Sequence, residues 1–119
     1  MPKTILIVDD DDDVREILSN YFKKHKYSAV EAADGEVAVQ VFNYQKIDII
    51  ITDVRMPKMG GMNLLRYIRS MNQDLPVIMM TGFELSKNDI ACLSYKANAY
   101  VSKPFSLEYM RYLVETLLK

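Results

Sequence analysis

Ile47-Asp48-Ile49-Ile50-Ile51-Thr52-Asp53 is the stretch on which the fold turns. Ile49-Ile50-Ile51 is short and apolar on successive residues, hence on both faces of an extended chain. That pattern suits a strand covered by helices on either side. The stretch closes on a carboxylate, Asp53. Four other short apolar runs flank it: Ile5-Leu6-Ile7-Val8, Ser28-Ala29-Val30, Val77 to Met80, and Ala99-Tyr100-Val101. Ile78-Met79-Met80 is again apolar on both faces.

Between the runs the apolar period changes to that of a helix. Val14, Ile17, Leu18, Tyr21 and Phe22 form one stripe, and Val37, Ala38, Val41 and Phe42 the next. Leu64, Leu65, Ile68 and Met71 form a third. Ile90, Leu93 and Ala97 make a thinner fourth, and Leu107, Met110, Val114 and Leu117 close the set. Ser86 with Asp89 reads as a capping box, and Ser106 stands just before the fifth stripe. Lys23-Lys24-His25-Lys26 places cations where the first helix should end, as its dipole favours. Asp11, Asp12 and Asp13 read as its cap and first-turn acids, and His25 as a solvated cap rather than a phosphocarrier. Gly60-Gly61, before the third stripe, reads as a tight turn.

Five strands alternating with five helical segments on short connections define an α/β fold: a (βα)5 open parallel sheet with helices on both faces. Such sheets bind ligands beyond the carboxyl ends of their strands. Strand one is followed by Asp9 and Asp10, strand three ends in Asp53, strand four in Thr81, and strand five leads into Ser102-Lys103-Pro104. The fold therefore gathers three carboxylates, a hydroxyl and an ammonium on one edge. Three such acids cannot all remain ionised unaided. A hard divalent cation resolves the conflict, Mg2+ being the cellular candidate. Lys103, while protonated, cannot ligate a metal but can neutralise a phosphoryl oxygen.

Composition bounds the rest. The 119 residues suffice for one domain with a real core. A formal net charge of −1 gives no global field for nucleic acid or an anionic membrane. Cys92 is the single cysteine, which excludes an internal disulfide, fits a reducing cytoplasm and reads as a small buried apolar residue. No apolar run is long enough for a signal-peptide core or a membrane span. The expectation is a cytoplasmic protein with no membrane partner and no direct nucleic-acid contact.

Four motifs stand in register with a known family. Val8-Asp9-Asp10, Thr52-Asp53-Val54-Arg55-Met56-Pro57 with Gly60-Gly61, Met80-Thr81-Gly82, and Tyr100-Val101-Ser102-Lys103-Pro104-Phe105 resemble the signatures of two-component response regulator receiver domains. The resemblance spans residues 1–119 as one receiver domain and implies the flavodoxin-like strand order 2-1-3-4-5. It implies that Asp53 accepts a phosphoryl group from a histidine kinase or a phosphotransfer protein. Mg2+ would then be held by Asp10, Asp53 and the backbone carbonyl of Arg55, with Asp9 acting through water. It further implies that Thr81 moves to a phosphoryl oxygen, Tyr100 turns inward, Lys103 bonds another phosphoryl oxygen, and the Lys103-Pro104 peptide is cis.

The output surface implied is the face made by the fourth helical segment, the fifth strand and the fifth helical segment, for a partner the sequence does not identify. On the fifth segment Tyr112 points opposite the apolar stripe, with Tyr109 nearby; Tyr95 is off-stripe on the fourth. Aromatics are enriched at interfaces, so these residues form a candidate patch. The chain is expected to be a monomer or a phosphorylation-dependent dimer, standing alone or as the receiver of a longer regulator. It departs from the family where Lys96-Ala97-Asn98 replaces a glycine-alanine pair, which marks the fourth helical segment for mobility, and where Gly82 loosens the loop after Thr81. Arg55 and Phe83 flank the water path that sets acyl-phosphate lifetime.

The competing class is a Mg2+-dependent phosphohydrolase with an aspartyl-phosphate intermediate. Such enzymes often carry a second aspartate two residues beyond the nucleophile; here Arg55 stands there, and no segment is left over for a substrate cap. A flavodoxin-like cofactor binder is disfavoured because the loop after strand one is packed with aspartates, which repel phosphate. The expectation is a switch that catalyses only its own phosphorylation and dephosphorylation, not an enzyme.

Overall fold

The computed structural model describes residues 2–82, 87, 91 and 97–119. Five strands, β1 (Thr4–Val8), β2 (Ser28–Ala32), β3 (Ile49–Asp53), β4 (Val77–Thr81) and β5 (Ala99–Ser102), form one sheet in the order β2-β1-β3-β4-β5. All four pairings are parallel. β3 is the central strand, and all its residues are buried. Edge strands β2 and β5 are only partly covered, as their mixed sequences require.

Register explains why each strand carries two apolar faces. Ile5 lies opposite Ile49 and Leu6 opposite Ile50, so residues of like parity stack on one side. Ile5, Ile7, Ile49, Ile51, Ile78 and Met80 face α1 (Asp12–Lys24) and the C-terminal helix (Leu107–Leu117), which contribute Leu18, Phe22, Met110 and Val114. Leu6, Val8, Ile50, Val77 and Met79 face α2 (Gly35–Tyr44) and α3 (Gly61–Met71), which contribute Ala38, Leu64, Leu65 and Ile68. Each fully buried Leu, Ile or Phe contributes roughly 1.5–3 kcal/mol, so the double-sided sheet is the main source of stability.

The expected caps form where described. Asp11 accepts from the Asp13 and Val14 amides, and Ser106 accepts from the Tyr109 amide. The Lys103-Pro104 peptide is cis.

Three stripe residues differ from expectation. Ile17 is 54% exposed and Met71 60%, while Val37 lies at the margin of its helix's buried side. Periodicity locates a helix face but not where its cover ends. The glycine pair also has another cause than a turn, since neither residue has positive φ. A Cβ on Gly61 would run into the Asp53 carbonyl and come within 3.0 Å of Met79 Cε. Gly61 lets α3 start against the strand end that carries Asp53. His25 caps α1 but is not merely solvated. Arg111 Nη1 of the C-terminal helix lies 2.6 Å from its Nδ1, and the Tyr21 ring centroid lies 4.5 Å from its own. Phe83, Ser86, Asp89, Ile90, Cys92, Leu93, Tyr95 and Lys96, and with them most of the fourth stripe, lie outside the described residues.

Candidate functional site: an acidic pocket at the carboxyl edge of the sheet

Asp53 and Thr81 are the last residues of β3 and β4, as expected. Strand hydrogen bonding thereby fixes their backbones. Asp53 is paired across to Met80, and Thr81 to Ser102. Asp9 follows β1, its amide held by the Ala32 carbonyl at 3.2 Å. Lys103 follows β5, its amide held by the Thr81 carbonyl at 2.7 Å.

These positions converge. Carboxylate oxygens of Asp9, Asp10 and Asp53 all lie within 4.8 Å of one another. Asp9 is fully buried and Asp53 is 5% exposed, whereas Asp10 faces solvent. The Lys103 ammonium sits between the two buried acids, 2.7 Å from Asp9 Oδ2 and 3.3 Å from Asp53 Oδ2. The other oxygens are also engaged: Asp9 Oδ1 accepts from the Asp11 amide and Asp53 Oδ1 from the Val54 amide.

Electrostatics follow from that geometry. Burial raises the Asp53 pKa above the ordinary carboxylate value, and the Asp9 charge raises it further, against the opposing pull of Lys103. For Lys103, burial favours the neutral amine. The hydrogen bond and charge of Asp9, and those of Asp53, outweigh it and raise its pKa. One ammonium thus offsets two buried carboxylates with a third acid at the rim, leaving excess negative charge. The donor set, all hard oxygens, fits Mg2+ or a similar divalent cation.

The other expected site residues are distributed around this pocket. Thr81 is buried at the end of β4, Arg55 is exposed just beyond β3, and Tyr100 on β5 is 59% exposed, its ring turned outward. Sequence reasoning missed Arg15, whose Nη1 donates to the Asp9 carbonyl at 2.6 Å and whose Nε lies 3.3 Å from Glu31. It also missed Asp34, a buried acid that caps α2 through the Val37 amide at 2.9 Å. An aspartate three residues before the second stripe was the available sign of that cap. Beside the pocket, Val14, Ile17, Lys103, Pro104, Phe105 and Leu107 line an apolar groove of about 510 Å3.

Residues 5–115 match the response regulator receiver domain. The chain belongs to that family. Among curated relatives, this receiver domain is 35% identical over its whole length to a response regulator, MprA, of Mycolicibacterium vanbaalenii, covering 52% of that protein. It is 33% identical over 118 residues to the probable transcriptional regulatory protein TcrX of Mycobacterium tuberculosis, covering 99% of this chain and 50% of that one. The receiver domain thus spans about half the length of these relatives.

Solved receiver structures superpose closely. A putative response regulator from Chloroflexus aurantiacus gives a TM-score of 0.90 at 35% identity, over 99% of this chain and 98% of that one. The Thermotoga maritima response regulator TrrA, solved in complex with Mg2+-BeF, gives 0.87 at 31% identity over 98% and 99%. Receiver domains are signalling switches of two-component systems. No helix among the described residues is long and apolar enough to cross a membrane.

Proposed function

We propose that residues 1–119 act as one cytoplasmic receiver domain that takes a phosphoryl group onto Asp53 from a histidine kinase or phosphotransfer protein. The observation that carries this reading is the convergence of Asp53 with Asp9, Asp10 and Lys103. A carboxylate oxygen of Asp53 attacks phosphorus, the phosphorus–nitrogen bond to the donor imidazole breaks, and its electron pair leaves with the imidazole. No general base is needed, because the nucleophile works as the carboxylate. Asp10, Asp53 and the Arg55 carbonyl would hold Mg2+, with Asp9 acting through water. The bound cation supplies positive charge that keeps Asp53 ionised and balances the phosphoryl oxygens.

The chain's own part is placement and charge. Lys103, already against Asp53, is positioned to bond a phosphoryl oxygen. Thr81 supplies a hydroxyl to another, and Tyr100 moves from its outward position into the space Thr81 leaves. β5 and the C-terminal helix then present a changed face to an output partner or a second copy. Phosphorylation must favour that state by roughly 5.5 kcal/mol to carry a 1:99 population to 99:1. The domain remains a monomer until then and catalyses only its own phosphorylation and dephosphorylation. The donor protein settles on the apolar groove beside Lys103, since that groove joins exposed Ile17 to the lysine paired with Asp53.

Incubation with a small phosphodonor, with and without Mg2+, followed by intact-mass measurement tests the reading. A Mg2+-dependent adduct of one phosphoryl group, absent in Asp53→Asn, is the expected result. Rapid turnover of varied phosphate esters without an adduct would instead identify a phosphohydrolase.

A further inference from the structure

The loop between β3 and α3, residues 54–60, contains Arg55 and is held at more points than a connection of its length needs. At its base the Val54 carbonyl accepts the Gly61 amide at 2.8 Å, and the Val54 amide reaches the Met80 carbonyl at 2.9 Å. Its far end is gripped from another part of the fold. The Gly35 amide, the first of α2, donates to the Met59 carbonyl at 3.0 Å. The neighbouring Asp34, buried and capping the same helix, points Oδ2 toward Lys58 Nζ at 3.9 Å. Lys58 itself holds φ 64°, a left-handed conformation that lysine adopts only when its surroundings enforce it.

The contact at Gly35 leaves no room for a side chain. A Cβ there would lie 2.7 Å from Met59 Cγ and 2.8 Å from Met59 Cβ, with the Met59 carbonyl oxygen closer still. Cβ atoms essentially never approach heavy atoms below 3.0 Å, so Met59 would withdraw by more than 0.3 Å (3.0 less 2.7) and its carbonyl by more again. Gly35 has no positive φ. Its glycine identity therefore answers to the loop rather than to its own backbone.

We propose that Gly35 is a positioning residue for the divalent-cation site: by seating the Met59 carbonyl on the start of α2, it sets the loop that carries the Arg55 carbonyl. The inference rests on the reading of Arg55 as a backbone ligand. Mg2+ demands near-octahedral oxygen geometry at about 2.0–2.1 Å, so a shift of a few tenths of an ångström in that loop is felt as lost affinity. α2 touches none of the three acids through this contact. At Gly35 its influence passes through Met59.

Calorimetric titration of the full chain with Mg2+ alone is the test, on wild type, Gly35→Ala and Phe22→Leu. Phe22 is buried in the core on the other side of the sheet and controls for loss of stability. Mg2+ binding at least fivefold weaker in Gly35→Ala, with Phe22→Leu within twofold of wild type, is expected. Equal affinity in folded Gly35→Ala overturns the inference and leaves the cation reading standing; no Mg2+ binding by wild type defeats both. Amide spectra of the wild type decide the matter should Gly35→Ala not fold. During Mg2+ titration the Gly35 amide should shift with the same midpoint as those of Asp53 and Val54. A stationary Gly35 resonance while those two move refutes the coupling.

Discussion

Replacing Asp53 with asparagine should stabilise the metal-free protein although it removes the proposed phosphoacceptor. At an effective dielectric constant of about 20, two like charges 4.8 Å apart repel by roughly 3.5 kcal/mol, and Asp53 lies within that distance of both Asp9 and Asp10. Lys103, 3.3 Å away, offsets roughly 5 kcal/mol of this. The remainder is about 2 kcal/mol of net repulsion; exposure of Asp10 reduces it, and the burial of the Asp53 charge adds to it. Asp53→Asn should therefore gain about 1–2 kcal/mol, or about 4–8 °C in Tm for a domain of this size.

The pH dependence has a definite sign. Burial and Asp9 raise the folded-state pKa of Asp53 above its unfolded value. Its contribution to stability is then fully present below the unfolded pKa, about 4, and is lost as pH rises through the folded one. The advantage of the Asp53→Asn variant over wild type should be largest at pH 8 and shrink steadily toward pH 4. Urea denaturation in EDTA across that range measures it. Repeating the series in Mg2+ should erase or reverse the gain, since a ligand at 100 times its Kd stabilises the native state by about 2.7 kcal/mol. No gain at pH 8 without metal, or the same gain at every pH, would refute the electrostatic account.

Ile17→Ser should slow phosphotransfer from a histidine kinase about fivefold or more while leaving phosphorylation by a small phosphodonor within twofold, because Ile17 lines the groove and the three acids do not; equal rates with the kinase remove the docking role. Tyr112→Ala removes a ring stacked on Tyr109 at 6.4 Å on an exposed face. Self-association of the phosphorylated chain, followed by sedimentation, should weaken while the Asp53 adduct still forms; unchanged association would clear Tyr112 of that role. Ser106→Ala removes the side-chain cap of the C-terminal helix and should lower stability by about 1 kcal/mol in urea unfolding; a change below about 0.3 kcal/mol would mean the cap is replaced by water.

The strands were legible because being apolar on both faces is a demanding condition, and β3 meets it at Ile49, Ile50 and Ile51 without a break. The acids were legible for a related reason: a polar residue directly after such a run has one place to go, the edge of the sheet. Strand order was legible only through family resemblance, because no local property of Ile5–Val8 says which neighbours it will have. Ile17 shows the limit of periodicity. It falls on the apolar stripe of α1, but cover there ends in the groove beside Lys103 and Phe105. Gly61 and Gly35 mark a deeper limit. Each is glycine because of a carbonyl distant in sequence or across a turn, of Asp53 and Met59 respectively, and proximity of that kind exists only once the chain has folded.

Lys103 connects these observations. It lies closer to Asp9 than to Asp53, so Asp53 is the less completely neutralised of the two buried acids. That leaves Asp53 drawn toward any added positive charge, as the proposed cation and phosphoryl chemistry requires. The same lysine continues β5, and its amide is pinned to the end of β4 at the Thr81 carbonyl. Tyr100 lies three residues earlier on that strand. In the proposed mechanism, a phosphoryl group on Asp53 gives Lys103 a new anionic partner and Thr81 a new acceptor. Both residues border the same β4–β5 pairing, with Tyr100 set opposite Met79. On that reading, a change of charge at the pocket would reach an exposed aromatic through one pair of hydrogen-bonded strands.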